Sequence, residues 1–222
     1  MKYGESIFDI LYLLTALVSG LLILAKRRDS AGKLMGSAVL LLGAGDAFHL
    51  IPRVLNYFVE ADFTIALGMG KLVTSVTMTI FYLLLYVLHV KVYEQPRDKK
   101  AFKSVILLVI LRIAICILPW NGWRDNDSPL TWAIARNIPF AALGIIIIIV
   151  FYMHRKEIKE LSRIWLYALL SFVFYMPVAI GAGIVPMLGM LMIPKTICYV
   201  LMIIAFVRYA FKGERTVIKQ NV

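Results

Sequence analysis

The chain has 222 residues, 61% of them hydrophobic, with a mean hydropathy of +0.84 and a formal net charge of +11. This hydropathy is far above that of a soluble domain, so a water-soluble enzyme and a disordered chain are both excluded. A surplus of 24 Lys and Arg over 13 Asp and Glu would suggest nucleic acid in a soluble protein, but its placement points to a membrane surface instead.

Apolar stretches near 20 residues recur, each long enough to cross a bilayer core of about 30 Å. Hydropathy predicts seven transmembrane helices over 6–25, 34–55, 64–91, 104–119, 130–152, 163–182 and 187–209. Residues 1–222 therefore read as one all-α polytopic domain. The first stretch has no polybasic segment before it and no small-residue cleavage site, so it is expected to stay as a helix. One set of connections carries Lys26, Arg27, Arg28 and Lys33, then Lys91, Arg97, Lys99, Lys100 and Lys103. It continues with Arg155, Lys156, Lys159 and Arg163, and the tail adds Arg208, Lys212, Arg215 and Lys219. The alternate set holds only Lys2 and Arg124, with Glu60, Asp62, Asp125 and Asp127. Basic loops stay inside, so the N-terminus is expected outside and the C-terminus in the cytoplasm, in a bacterial plasma membrane. Membrane lipids are expected partners and nucleic acid is not. The sequence specifies no oligomeric state.

Six charges interrupt the predicted helices: Asp46, Arg53, Lys71, Arg112, Arg136 and Lys195. Intramembrane charge is costly and marks functional sites. In helix two, Asp46 and His49 are i and i+3, and Arg53 lies four residues further on, so all three share one face. Pro52 frees the carbonyl one turn earlier, near Phe48. In helix three, Lys71, Ser75 and Thr79 share a face with Thr74 adjacent, and Gly68 and Gly70 admit a close neighbour. Gly-Met-Gly-Lys lacks the spacing of a phosphate loop. Arg112 of helix four is the weakest site candidate: a role in bridging helices or reaching toward headgroups fits it as well as a ligand role.

The outer connection from Trp120 to Pro129 is expected to be a solvated turn, with folding over the outer mouth as the alternative. Trp120, Trp123 and Trp132 fit an interfacial aromatic belt. Helix five offers Arg136 and Asn137 before Pro139, and helix seven offers Pro194, Lys195 and Tyr199. Proline beside or near a cation thus recurs three times, which suggests broken helices around a pocket. Pro52 and Lys71 are spaced much like Pro177 and Lys195, which suggests a three-plus-one-plus-three arrangement with helix four as linker. Cys116 and Cys198 form no disulfide framework or zinc pattern and read as small core residues.

Five cations against Asp46 leave a formal surplus of four positive charges. Each unpaired charge at the membrane centre costs about 2.5–3.5 kcal/mol on insertion scales. An anionic small molecule or lipid headgroup relieves this most economically, because carboxylate and phosphate match Arg forks and Lys charges. The expected ligand set is Arg53, Lys71, Ser75, Arg136, Asn137, Lys195 and Tyr199, with Asp46 and His49 coupling protonation to binding. No metal is expected, since His89 and His154 lie far from His49. No cofactor is expected either: retinal on Lys195 would need a counterion where helix three has Lys71. Asp9 is the only other acid placed near the set. A third reading has the charges simply pairing to hold a bundle for a partner.

The segment Leu42-Gly43-Ala44-Gly45-Asp46-Ala47-Phe48-His49-Leu50-Ile51-Pro52-Arg53 resembles the Gly-Asp segment of lysoplasmalogenase-type membrane proteins. That resemblance implies an intramembrane lipid hydrolase with Asp46 and His49 as acid and base. It also implies a second acidic motif in a later helix, where this chain reads Ser171-Phe172-Val173-Phe174-Tyr175-Met176-Pro177. In size, helix number and orientation the chain is similar to the sugar-transporter and retrieval-receptor group with three-plus-one-plus-three helices. As a whole it looks like a bacterial seven-helix membrane protein.

Overall fold

A computed structural model of the chain describes residues 2–96 and 98–220, and all their side chains except those of 186 and 213–220. Arg97 and the side chains of Arg215 and Lys219 therefore lie outside the described residues. Seven α-helices run through the rest: α1 Lys2–Lys26, α2 Ser30–Phe58, α3 Thr64–Val92, α4 Lys99–Ile117, α5 Leu130–Met153, α6 Ile164–Gly181 and α7 Met192–Gln220. The protein is an all-α, multi-pass membrane protein. Six helices are long and apolar enough to span a bilayer; α4 differs because Lys99, Lys100, Lys103 and Arg112 fall within its 19 residues.

Helix starts are set by caps as well as by hydropathy. The Asp29 carboxylate accepts from Gly32 N at 3.1 Å, and Asp98 accepts from Lys100 N at 2.8 Å. Each cap satisfies an orphan amide and extends its helix some four or five residues before the apolar run. The last helix differs from expectation. Residues 187–191 belong to a 3₁₀ turn, Pro186–Leu191, and α7 begins only at Met192. Pro194 thus sits in the first turn of α7, where no amide donor is needed, and it causes no break. Pro52, Pro139 and Pro177 do lie inside helices.

Helices adjacent in sequence pack side by side, and α7 closes the ring on α1. The ring reads as two rows, α1–α2–α3 and α5–α6–α7, with α4 at one seam and the α1–α7 contact at the other. α3 also touches α5 and carries the densest part of the core, with Phe81, Tyr82, Leu85 and Leu88 fully buried. Tyr82 meets Phe140 and Phe172 edge-on, and Phe81 meets Tyr199, forming an aromatic layer across the bundle. Ile7, Leu11, Leu14, Val18 and Leu21 leave the outer face of α1 apolar and exposed, as a lipid-facing helix requires. At the basic end, Arg27 lies over the Tyr209 ring, Lys26 over Phe211, and Lys212 pairs with Glu160 at 2.9 Å.

The α2–α3 seam depends on missing side chains. A Cβ on Gly70 would lie 2.3 Å from the Phe48 carbonyl oxygen and 2.7 Å from the His49 Cα. Phe48 carries the carbonyl that Pro52 leaves free, so the proline and the glycine meet at one contact. The obstructing atoms are backbone and cannot swing aside. Gly70→Ala is therefore expected to destabilise the protein by about 1–3 kcal/mol, read as a lower Tm in detergent. Gly4→Ala, which meets nothing within 4 Å, should leave the Tm unchanged.

Candidate functional site

Five basic side chains from five helices converge on one cavity of about 590 Å³ inside the ring. Arg53 of α2, Lys71 of α3, Arg112 of α4, Arg136 of α5 and Lys195 of α7 all line it, with Ser75 and Tyr199. Phe140, Tyr175 and Tyr199 join this cavity to the aromatic layer below.

Each cation is held differently. The Lys195 Nζ lies 5.2 Å from the Tyr175 ring centre and 5.3 Å from that of Tyr199, within cation–π range of both. Lys195 itself is buried. The Arg136 Nη1 donates to Asn121 Oδ1 and Ser128 Oγ, each at 3.0 Å, while its guanidinium covers the Trp123 ring. Lys71 is exposed and lines the cavity, and the Ser75 hydroxyl below it donates back to the Lys71 carbonyl. Arg53 forms an ion pair with Glu5, which also accepts from the Tyr57 hydroxyl.

Arg112, the weakest candidate in sequence, is the most buried of the five at 1% exposure. Its guanidinium lies 3.4 Å from the Phe140 ring centre, and its Nε and Nη1 have no hydrogen-bond partner. Buried, unpartnered donors are costly and point to a missing acceptor. Asn137 is not among the cavity-lining residues. It donates to the Ala133 carbonyl and accepts from the Tyr175 hydroxyl at 3.0 Å, so it positions Tyr175.

The Asp46–His49–Arg53 stripe faces a second, smaller cavity of about 40 Å³ between α1, α2 and α7. Glu5, Asp9 and Asp46 line it, and it shares His49, Arg53 and Lys195 with the larger cavity. Tyr12 donates to Asp46 Oδ2 at 2.6 Å, while the buried Asp9 Oδ2 has no partner. His49 Nδ1 is also buried without a partner. The charge balance read from sequence needs correction here. Three acids, Glu5, Asp9 and Asp46, face the five cations and reduce the formal surplus from four to two; Asp127, at the wall of the large cavity, reduces it to one. Glu5, Asp9 and Asp46 line the small chamber, and Asp127 the large one. Lys71, Arg112, Arg136 and Lys195 form no ion pair among the described residues.

The connection from Trp120 to Pro129 is only partly solvated: Arg124, Asp125 and Asp127 are exposed, while its other side packs on the bundle and lines the cavity. Trp123 is buried and its Nε1 donates to the Cys116 carbonyl at 2.7 Å. Asn121, fully buried, donates to the Ile115 and Leu118 carbonyls at the end of α4. Gly68 lets the strap settle, because a Cβ there would collide with the Trp123 carbonyl oxygen. Trp123 thus leaves the expected aromatic belt, whereas Trp120 stays exposed and stacks on Trp132. At the opposite end of the bundle, His89 and His154 meet each other, Nε2 to Nδ1 at 3.0 Å, away from His49.

No family model matches the chain, and neither a curated protein nor a solved structure is significantly similar to it.

Asn121 links the end of α4, the strap and Arg136. Its truncation removes one partner each from the Ile115 and Leu118 carbonyls and from the Arg136 Nη1, each bond worth about 0.5–1.5 kcal/mol. Asn121→Ala is expected to lower the Tm well below that of Ser128→Ala, whose side chain donates only to the Asn121 carbonyl and accepts one arm of Arg136.

Proposed function

We propose that this protein binds an anion, a carboxylate or phosphate group, in the large cavity and moves it across a bacterial plasma membrane. In this reading all seven helices cross the bilayer, the cavity faces outside and the basic end faces the cytoplasm, following the loop-charge asymmetry. One observation carries the reading. Lys71, Arg112, Arg136 and Lys195 line a single chamber and form no ion pair among the described residues, and Arg112 keeps two buried donors unpaired. An anion supplies the missing acceptor. Lys71 draws it in, the two guanidiniums fork onto its oxygens and Lys195 holds it from α7. The surrounding aromatic walls exclude water and strengthen every such contact.

Lys195 borders both chambers, so it connects the anion to the acids behind it. Asp46, with His49 beside it, couples proton movement to anion binding through that lysine. The hydrolase reading asks Asp46 and His49 to act directly on substrate. It is less favoured, because Asp46 lines only the small chamber and accepts from Tyr12.

The test is a titration of purified protein in nanodiscs, followed by thermal stability. Inorganic phosphate represents a free anion, and phosphatidylglycerol in the disc represents a lipid headgroup. One of the two should raise the Tm, and Lys195→Ala should weaken that binding about 10–100-fold, as expected for losing one charge-assisted contact of about 1.5–3 kcal/mol. No shift with either, together with wild-type behaviour of Lys195→Ala, rules the proposal out. Product release from a lysophospholipid that disappears in Asp46→Asn would favour the hydrolase instead.

A further inference from the structure

The connection between α6 and α7 lies at the same end of the bundle as the cavity, yet it differs from the other two connections there. Residues 164–194 contain no Asp, Glu, Lys, Arg or His. The neighbouring connections carry Glu60 and Asp62, and Arg124, Asp125 and Asp127. A turn bathed in water has no reason to be this apolar. Its tip is also well exposed, with Ile184 at 72% and Met187 at 76%. An exposed apolar patch of this kind marks a lipid contact.

Helix length fits such a contact. α6 has 18 residues and rises about 27 Å, slightly less than a hydrocarbon core of about 30 Å. α2 and α3 have 29 residues each and rise about 44 Å. α6 is therefore a short wall of the ring, whereas α2 and α3 exceed the hydrocarbon core. The hairpin suits an apolar setting because its amides are used locally. Ile184 and Val185 N–H groups donate to the Gly181 carbonyl, and Leu188 to that of Val185. Backbone satisfied in this way tolerates an apolar setting.

The inner side of the same hairpin lines the cationic cavity. Gly183, Ile184 and Gly189 share it with Arg112 and Lys195. A Cβ on Gly183 or Gly189 would meet nothing within 4 Å, so this wall is thin and leaves space. Val178, Ile180 and Met192 continue the apolar surface toward the cations.

We infer that the anion is the head of a single-chain amphiphile, and that the α6–α7 hairpin is its doorway from the bilayer. The head sits among Arg112, Arg136 and Lys195, and the chain lies along the hairpin. This rests on the anion-binding reading and narrows it to a class of ligand.

The test uses purified protein in phosphatidylcholine nanodiscs and three probes. n-Dodecyl phosphate has the head and the tail, inorganic phosphate the head alone, and dodecylphosphocholine the tail with a neutralised head. Dodecyl phosphate is expected to bind at least about tenfold more tightly than either of the others, since the buried methylenes and the bare charge each contribute. Gly183→Phe should abolish the advantage of the tail, read as the ratio of dodecyl phosphate affinity to inorganic phosphate affinity. Equal affinity for dodecyl phosphate and inorganic phosphate overturns the amphiphile inference but leaves the anion reading standing. Equal affinity for the two dodecyl compounds, or no binding of any probe, overturns both. A second measurement guards against misfolding of Gly183→Phe. With Cys116 and Cys198 replaced by Ala, a nitroxide on Met187→Cys should collide with lipid-soluble oxygen more than with a water-soluble nickel chelate. The reverse order overturns the doorway.

Discussion

An ammonium group inside a membrane needs polar neighbours, and the placement of Lys195 sets much of the bundle. On one side it has the rings of Tyr175 and Tyr199; on the other it borders the chamber that holds Asp9 and Asp46. Each neighbour comes from a different part of the ring. Tyr175 requires α6, and its hydroxyl is fixed by Asn137 of α5. Asp46 requires α2, and Tyr12 of α1 holds it. Asp9 shares the small chamber with Lys195 because α7 closes on α1. Five of the seven helices are thus tied to the surroundings of one side chain.

The same arrangement sorts charge into two compartments. Glu5, Asp9 and Asp46 gather between α1, α2 and α7, while Lys71, Arg112, Arg136 and Lys195 line the larger chamber together with Asp127. In a medium of low dielectric, opposite charges collapse together unless other bonds hold them. Arg53, at the boundary, is paired with Glu5; Tyr12 holds Asp46, and Asn121 and Ser128 hold Arg136. Only the groups left over remain available to something from outside.

The helices and most of the cavity-lining cations were legible in the sequence, because charge in an apolar run has few explanations. The stripe of Asp46, His49 and Arg53 was legible from helical spacing alone. Glu5 is not, and Asp9 reads only as a lone acid near the set. Both sit near the start of α1, where an acid reads as solvated, and only the packing of α1 against α2 and α7 leaves Asp9 buried and Glu5 half-buried. Arg112 is ambiguous in sequence because its importance lies in two unpartnered nitrogens, which no sequence displays. Asn137 reads as a ligand group because polar residues in helices attract that reading; its neighbour Tyr175 has the first claim on it. The strap failed for a related reason. Asn121, Asp125 and Asn126 are turn residues, and nothing in their order tells that Trp123 would bond to Cys116.

That strap is bonded to α4 through the carbonyls of Ile115, Cys116 and Leu118, and to α5 through Arg136. On the other side of the chamber the α6–α7 hairpin holds itself together with short-range amide bonds and leaves Gly183 and Gly189 facing open space. The two rims are therefore built differently. One is bonded through side chains to two helices; the other is held, among the hydrogen bonds described, by backbone bonds within itself. A substitution in the strap thus disturbs two helices at once, whereas one at Gly183 or Gly189 stays local to the hairpin.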